Sequence, residues 1–159
     1  MPKRLIRGDV VRIAAGDNAA YSKFLGDRLV YLQYLGKHPE YGYAVAVCPA
    51  PQSALAEVSK HLFKDAYVAF YPPGTAVNRG LATVVGRLQC LIEVPHRLRR
   101  AGALANRKVE TWVIEDPPND EVVTRQLSAA ELALPIASIW NHECLLERVS
   151  RGWRPTSEW

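Results

Sequence analysis

The chain has too few cysteines, in the wrong places, to be held together by them. Cys48, Cys90 and Cys144 are an odd number, set far apart, with no Cys-x-x-Cys pair. That excludes a disulfide framework or a zinc-knuckle pattern and leaves three reduced thiols, as expected in a reducing compartment. Long apolar runs are missing as well, and nothing approaches the ~20 residues that span a bilayer. The N-terminus, Met1-Pro2-Lys3-Arg4-Leu5-Ile6-Arg7, is charged and lacks the apolar centre of a secretory signal. A soluble cytoplasmic protein with no membrane partner is expected. Neither sign of charge dominates. Twenty Lys and Arg against sixteen Asp and Glu leave a net charge of +4, less basic than a dedicated nucleic-acid binder.

Catalytic signatures are also scarce. The histidines, at 38, 61, 96 and 142, show no His-x-x-x-His or His-Glu-x-x-His spacing. No glycine-rich phosphate loop follows a strand, and Ser22, Ser53 and Ser138 lack a nucleophile-elbow context. Asp116, Asp120 and Glu121 cluster in a proline loop without the ligand spacing of an EF-hand, so they read as a solvated hairpin tip. His142 and Cys144, two apart on a helix, point in different directions and cannot pair. Cys90 and Cys48 read as packing residues. No catalytic residue, cofactor or metal ligand is assigned, and a non-enzyme is expected.

What the chain does have is strand-forming sequence broken by Gly and Pro. Ile6 to Ala15 reads as a strand carried by Val10, Val11 and Ile13, and Gly16 to Asp27 as an exposed polar loop. Leu29 to Leu35 is almost continuously apolar, as a strand covered on both faces should be. Gly36 to Glu40 reads as a turn, with Tyr43 to Cys48 as the return strand. Leu55 and Val58 suggest a short helix within Pro49 to Lys60. Ala66 to Tyr71 is a further strand, stopped by Pro72-Pro73-Gly74. Leu81 to Glu93 alternates, and Gly86 inside it implies a bulge or sharp bend. Pro95 to Lys108 is a basic connector. Val109 to Glu115 and Glu121 to Leu127 are strands around the Asp116 to Asp120 turn, followed by a helical turn from Ser128 to Glu131.

The C-terminal run ends in a docked helix near 141–151. Asn141 caps it, Glu143 sits in the first turn where the helix dipole favours negative charge, and Trp140 staples onto Leu145. Leu145, Leu146 and Val149 form the apolar stripe, and Glu147 and Arg151 pair at i,i+4 on the wet side. Gly152 ends the helix and Pro155 keeps it ended. These signals predict one domain, 1–159, of mainly β (α+β) class. The expected architecture is a curved antiparallel sheet or small SH3-like barrel, with the terminal helix packed on it.

Two sets of residues are candidates for binding. Arg97, Arg99, Arg100, Arg107 and Lys108 could contact phosphates or an acidic protein face, against the alternative of a solubilising loop. The aromatic interleaving used by single-strand binders is absent from that segment. Tyr41 and Trp153, with Tyr21 and Trp159, could anchor a protein interface, against the alternative of partial burial.

Three blocks form a recognisable pattern: Arg7-Gly8-Asp9-Val10, Trp112-Val113-Ile114-Glu115-Asp116, and Leu134-Pro135-Ile136…Ile139-Trp140-Asn141…Leu145-Leu146-Glu147-Arg148-Val149…Gly152-Trp153. With them the chain resembles the all-β immunity proteins of bacterial polymorphic toxin systems, specifically the immunity protein 26 family. The resemblance implies binding to a cognate toxin domain and blocking it by occlusion. Inhibitors of basic nucleases tend to be acidic, because complementary potentials speed association. A protein of net charge +4 therefore implies a toxin whose docking face is neutral or acidic. The alternative is a small-barrel nucleic-acid-binding or regulatory module that uses the 97–108 segment.

Overall fold

The computed structural model describes residues 2–54, 58–106 and 108–157. Leu55, Arg107 and Trp159 lie outside the described residues. Five strands make the principal antiparallel sheet: Asp9–Ile13 (β1), Val30–His38 (β2), Gly42–Val47 (β3), Tyr67–Phe70 (β4) and Ala82–Arg87 (β5). Their spatial order is β4-β3-β2-β1-β5. Downstream come Leu98–Ala101 (β6), a minimal hairpin of Leu104–Ala105 (β7) and Lys108–Val109 (β8), then Trp112–Glu115 (β9) and Glu121–Val123 (β10). The last two join β6 in a second sheet ordered β10-β9-β6. Four α-helices and a 3-10 turn at Lys60–Phe63 complete the described elements; the α-helices are Ala19–Leu25 (α1), Pro73–Asn78 (α2), Ala129–Leu132 (α3) and His142–Ser150 (α4). The fold is mainly β within the α+β class. With β4 and β5 at opposite ends, the five-stranded sheet is open and not a closed barrel.

The principal sheet is covered on both sides, and its sequence shows why. From Val30 to Leu35 every residue of β2 is buried. One face, with Val11, Ile13, Leu32, Val45 and Val47, packs against Leu25 of α1 and Leu145, Leu146 and Val149 of α4. The other, with Val10, Tyr31, Leu35, Ala46 and Phe70, packs on Phe63 and on Leu98 of the second sheet. The three apolar residues of α4 are fully buried, and each contributes roughly 1.5–3 kcal/mol by leaving water.

The terminal helix forms as its sequence predicts. The Asn141 side chain accepts from the Cys144 N–H at 2.8 Å, and Glu147 and Arg151 pair at 3.0 Å. Gly152, at φ 69°, takes the left-handed turn that stops the helix. The bulge at Gly86 is present too. Val10 faces Gly86 while Val11 faces Val84, so Val85 is the extra residue. In the described residues no helix is long and apolar enough to cross a membrane.

Other expectations are corrected. The polar loop from Gly16 holds α1, because Asn18 accepts from the Ala20 and Tyr21 N–H groups and so caps a turn. Pro72-Pro73-Gly74 opens α2 instead of merely stopping a strand, since Pro at the first helical position lacks only an N–H that would be unpaired anyway. The strand expected over 81–93 ends at Arg87. The centre of the helix expected within 49–60, at residues 55–57, lies outside the described residues, and residues 49–54, 58 and 59 are not helical. Gln52 bridges to Leu29, and a 3-10 turn forms at Lys60–Phe63.

Candidate functional site

The binding residues read from the sequence do not converge. The basic connector contains β6, β7 and the start of β8, and β6 sends alternate side chains to opposite faces. Leu98 joins the core beneath the first sheet. Arg99 goes the other way and is 1% exposed. Its guanidinium lies 4.3 Å over the Trp112 ring and donates to the Leu132 carbonyl at 3.1 Å and to the Pro155 carbonyl. Burial pushes its pKa down, although an arginine stays charged. As a surface contact Arg99 is therefore withdrawn; it pins the C-terminal segment to the second sheet.

Its neighbours are exposed but engaged. Arg97 and His96 lie 3.5 and 3.0 Å from the Asp116 carboxylate, and Arg100 lies 3.5 Å from Glu115. Tyr41 donates its hydroxyl to both Glu115 oxygens, at 2.8 and 2.7 Å, which ties the β2–β3 turn to β9. Burial and that carboxylate push the Tyr41 pKa well above the usual phenol value. Trp153 is half-buried, packing on Trp140 and Tyr67 with centroids 5.0 and 5.4 Å away. Arg148 lies 4.9 Å over its ring. Lys108 is exposed on β8. Of the predicted set, the structure brings together Tyr41 and Arg100, through Glu115. The facing acids draw on the charge of this segment, so it does not present a run of guanidinium groups ready for phosphate.

A different feature is concave and positively charged. Three chain segments enclose a cleft of about 520 Å³, whose lining includes Lys3, Arg4, Lys37, Tyr34, Tyr43 and Asn78. Among the described residues, no Asp or Glu lines it. Among the described residues, no carboxylate forms an ion pair with Lys3, Arg4 or Lys37.

Local geometry explains how these cations come together. Tyr34 faces Val45, but Gly36 faces Ala44, so Leu35 is an extra residue in β2. This bulge puts Lys37, opposite Tyr43, on the same face as Tyr34 although the two are three apart. Gly36, at φ 131°, supplies the backbone conformation. The Lys37 ammonium then sits 5.0 Å over the Tyr43 ring. On the opposite side Asn78 holds Lys3 twice. Its Oδ1 accepts from the Lys3 N–H at 2.8 Å, and its Nδ2 donates to the Lys3 carbonyl at 3.3 Å. Buried Leu5 and the Gly8 N–H to Tyr34 carbonyl bond of 2.8 Å complete the attachment. The cleft is thus pre-formed. Burial raises the Tyr34 pKa, helped by Tyr43, while nearby Arg4 draws it back.

The site is hidden in the sequence because Gly36-Lys37-His38-Pro39-Glu40 reads as a turn. A glycine inside an otherwise β-prone run is also the signal of a bulge, and that reading would have put Lys37 beside Tyr34.

Elsewhere, His142 shares a 2.6 Å hydrogen bond with the Tyr71 hydroxyl and packs edge-on to Tyr21; burial pushes its pKa down. Burial pushes the Cys48, Cys90 and Cys144 thiols up, away from the reactive thiolate. Among the described residues, no cluster of three His, Cys, Asp or Glu side chains could hold a metal ion. No family model, no curated protein and no solved structure matches the chain.

Proposed function

We propose that this chain is a binding protein of the immunity type, which acts in the producing cell and neutralises a cognate bacterial toxin domain by covering it. One observation carries the reading on the structural side: the pre-formed cleft gathers Lys3, Arg4 and Lys37, with no carboxylate among its described lining residues. Such a field speeds encounter with an acidic face and disfavours a basic one. It suits the neutral or acidic docking face that the net charge of +4 implies. The family assignment rests on the residue pattern alone, in blocks that chiefly build the core: Ile114, Leu145, Leu146 and Val149 are all buried.

The test is co-purification. Mixed with the toxin domain encoded beside it, the chain should elute from a sizing column as one complex, and the complex should weaken as salt rises. Separate elution of the two at micromolar concentrations and low salt defeats the proposal. The nucleic-acid alternative gains no support from an observation here, because Arg99 is buried and Arg97 and Arg100 lie beside carboxylates.

A further inference from the structure

We infer that the cleft between Lys3, Arg4 and Lys37 receives an extended acidic segment of the partner, a loop or tail bearing two or more carboxylates; the inference rests on the immunity-type reading. The cations come from two separated parts of the chain, residues 3–4 and residue 37, around a space of about 520 Å³. Three cations around one space can meet two or more carboxylates of a single bound segment. A phosphate site is ordinarily built from converging backbone N–H groups at a helix start or nest. Here the helix at the cleft is α2, six residues long, and its cap Pro72 and first residue Pro73 remove two of those donors. Lys3, Arg4 and Lys37 are left to supply charge through their side chains. Carboxylates on a peptide are suited to that.

The rest of the lining agrees. Tyr43 is 41% exposed, Tyr34 sits behind it at a centroid distance of 6.0 Å, and the exposed Pro2 ring adds apolar surface. Such a surface can cover the aliphatic stems of glutamates while the cations meet their heads. The Lys37 ammonium, held over Tyr43, is aimed before any partner arrives, which lowers the ordering cost of binding.

The experiment is a titration of the isotope-labelled full chain followed by amide chemical shifts at low ionic strength. Two probes are used separately, a hexaglutamate peptide and inorganic phosphate. Saturable shifts are expected with hexaglutamate at Lys37, Tyr43, Thr75 and Asn78, with phosphate far weaker. In Arg4→Glu/Lys37→Glu the midpoint should rise at least about tenfold. Lys37→Gln, which keeps the stem, should raise it by a smaller factor. Peptide shifts scattered over the surface, midpoints unmoved in both variants, or phosphate saturating the cleft at lower concentration than the peptide each overturn the inference. The two readings fail separately. Peptide held in the cleft with no toxin bound removes the immunity reading, whereas a toxin complex untouched by both variants removes the cleft as its docking point.

Discussion

Replacing Arg99 should damage the fold and leave binding alone, the reverse of what a basic surface segment implies. The side chain is the largest of the fully buried set. Arg99→Ala removes two hydrogen bonds from a charged donor, to the Leu132 and Pro155 carbonyls, and the stack on Trp112. Hydrogen bonds to charged groups contribute roughly 1.5–3 kcal/mol each, and a desolvated cation–π contact about 2 kcal/mol. Against these stands the cost of keeping a guanidinium out of water, which the variant no longer bears. A net loss of about 2–4 kcal/mol is expected, or a fall in Tm of roughly 5–15 °C for a chain of this size. Arg100→Ala is the control. Its side chain is 47% exposed and its ion pair with Glu115 is long at 3.5 Å, so it should cost at most about 1 kcal/mol. Urea unfolding followed by tryptophan fluorescence measures both. If Arg99→Ala proves no more costly than Arg100→Ala, the pinning role given to Arg99 is wrong.

Two further outcomes follow from local geometry. Gly8→Ala should cost about 2 kcal/mol, since φ is 96° and a Cβ there would meet the Leu88 carbonyl oxygen at 2.6 Å; an equilibrium stability equal to that of the parent would show that this contact relaxes freely. Glu131 is held to a pKa of about 2 by the Arg125 guanidinium and then by the Ser128 N–H. Its folded value lies below its unfolded one, so its contribution is present above about pH 4.5 and is lost as pH falls towards 2. The stability curves of the parent and Glu131→Gln should therefore meet near the acid end and separate above pH 4.5. A constant gap across that range counts against the assignment.

The parts that could be read from the chain are those where local chemistry and burial agree. Tyr43 to Cys48 returns against Leu29 to Leu35 because both runs are apolar on both faces, and Asn141 and Gly152 mark helix ends by chemistry that does not depend on the rest of the fold. The Ser128–Glu131 capping box is of the same kind, with its two bonds at 3.2 and 2.9 Å. Arg99 could not be read this way. A period of two shows that Leu98 and Arg99 face opposite sides, but not that a second layer, with Trp112, Ile114 and Leu132, covers the arginine's side. The 16–27 segment was obscured by its Gly-Asp-Asn opening, which signals a loop until Asn18 is recognised as a cap for Tyr21, Phe24 and Leu25. The cleft was hidden for a third reason. Its residues come from positions 2–5, 34–43 and 73–78, and the shift at Leu35 reverses the parity by which Lys37 would be placed.

Under the proposed immunity function, survival of cells that express a candidate cognate toxin domain is the most direct measurement. Co-expression of the parent should restore growth, and co-expression of Arg4→Glu/Lys37→Glu at equal abundance should not. Growth arrest persisting in the presence of abundant, folded parent protein would contradict the account at its root.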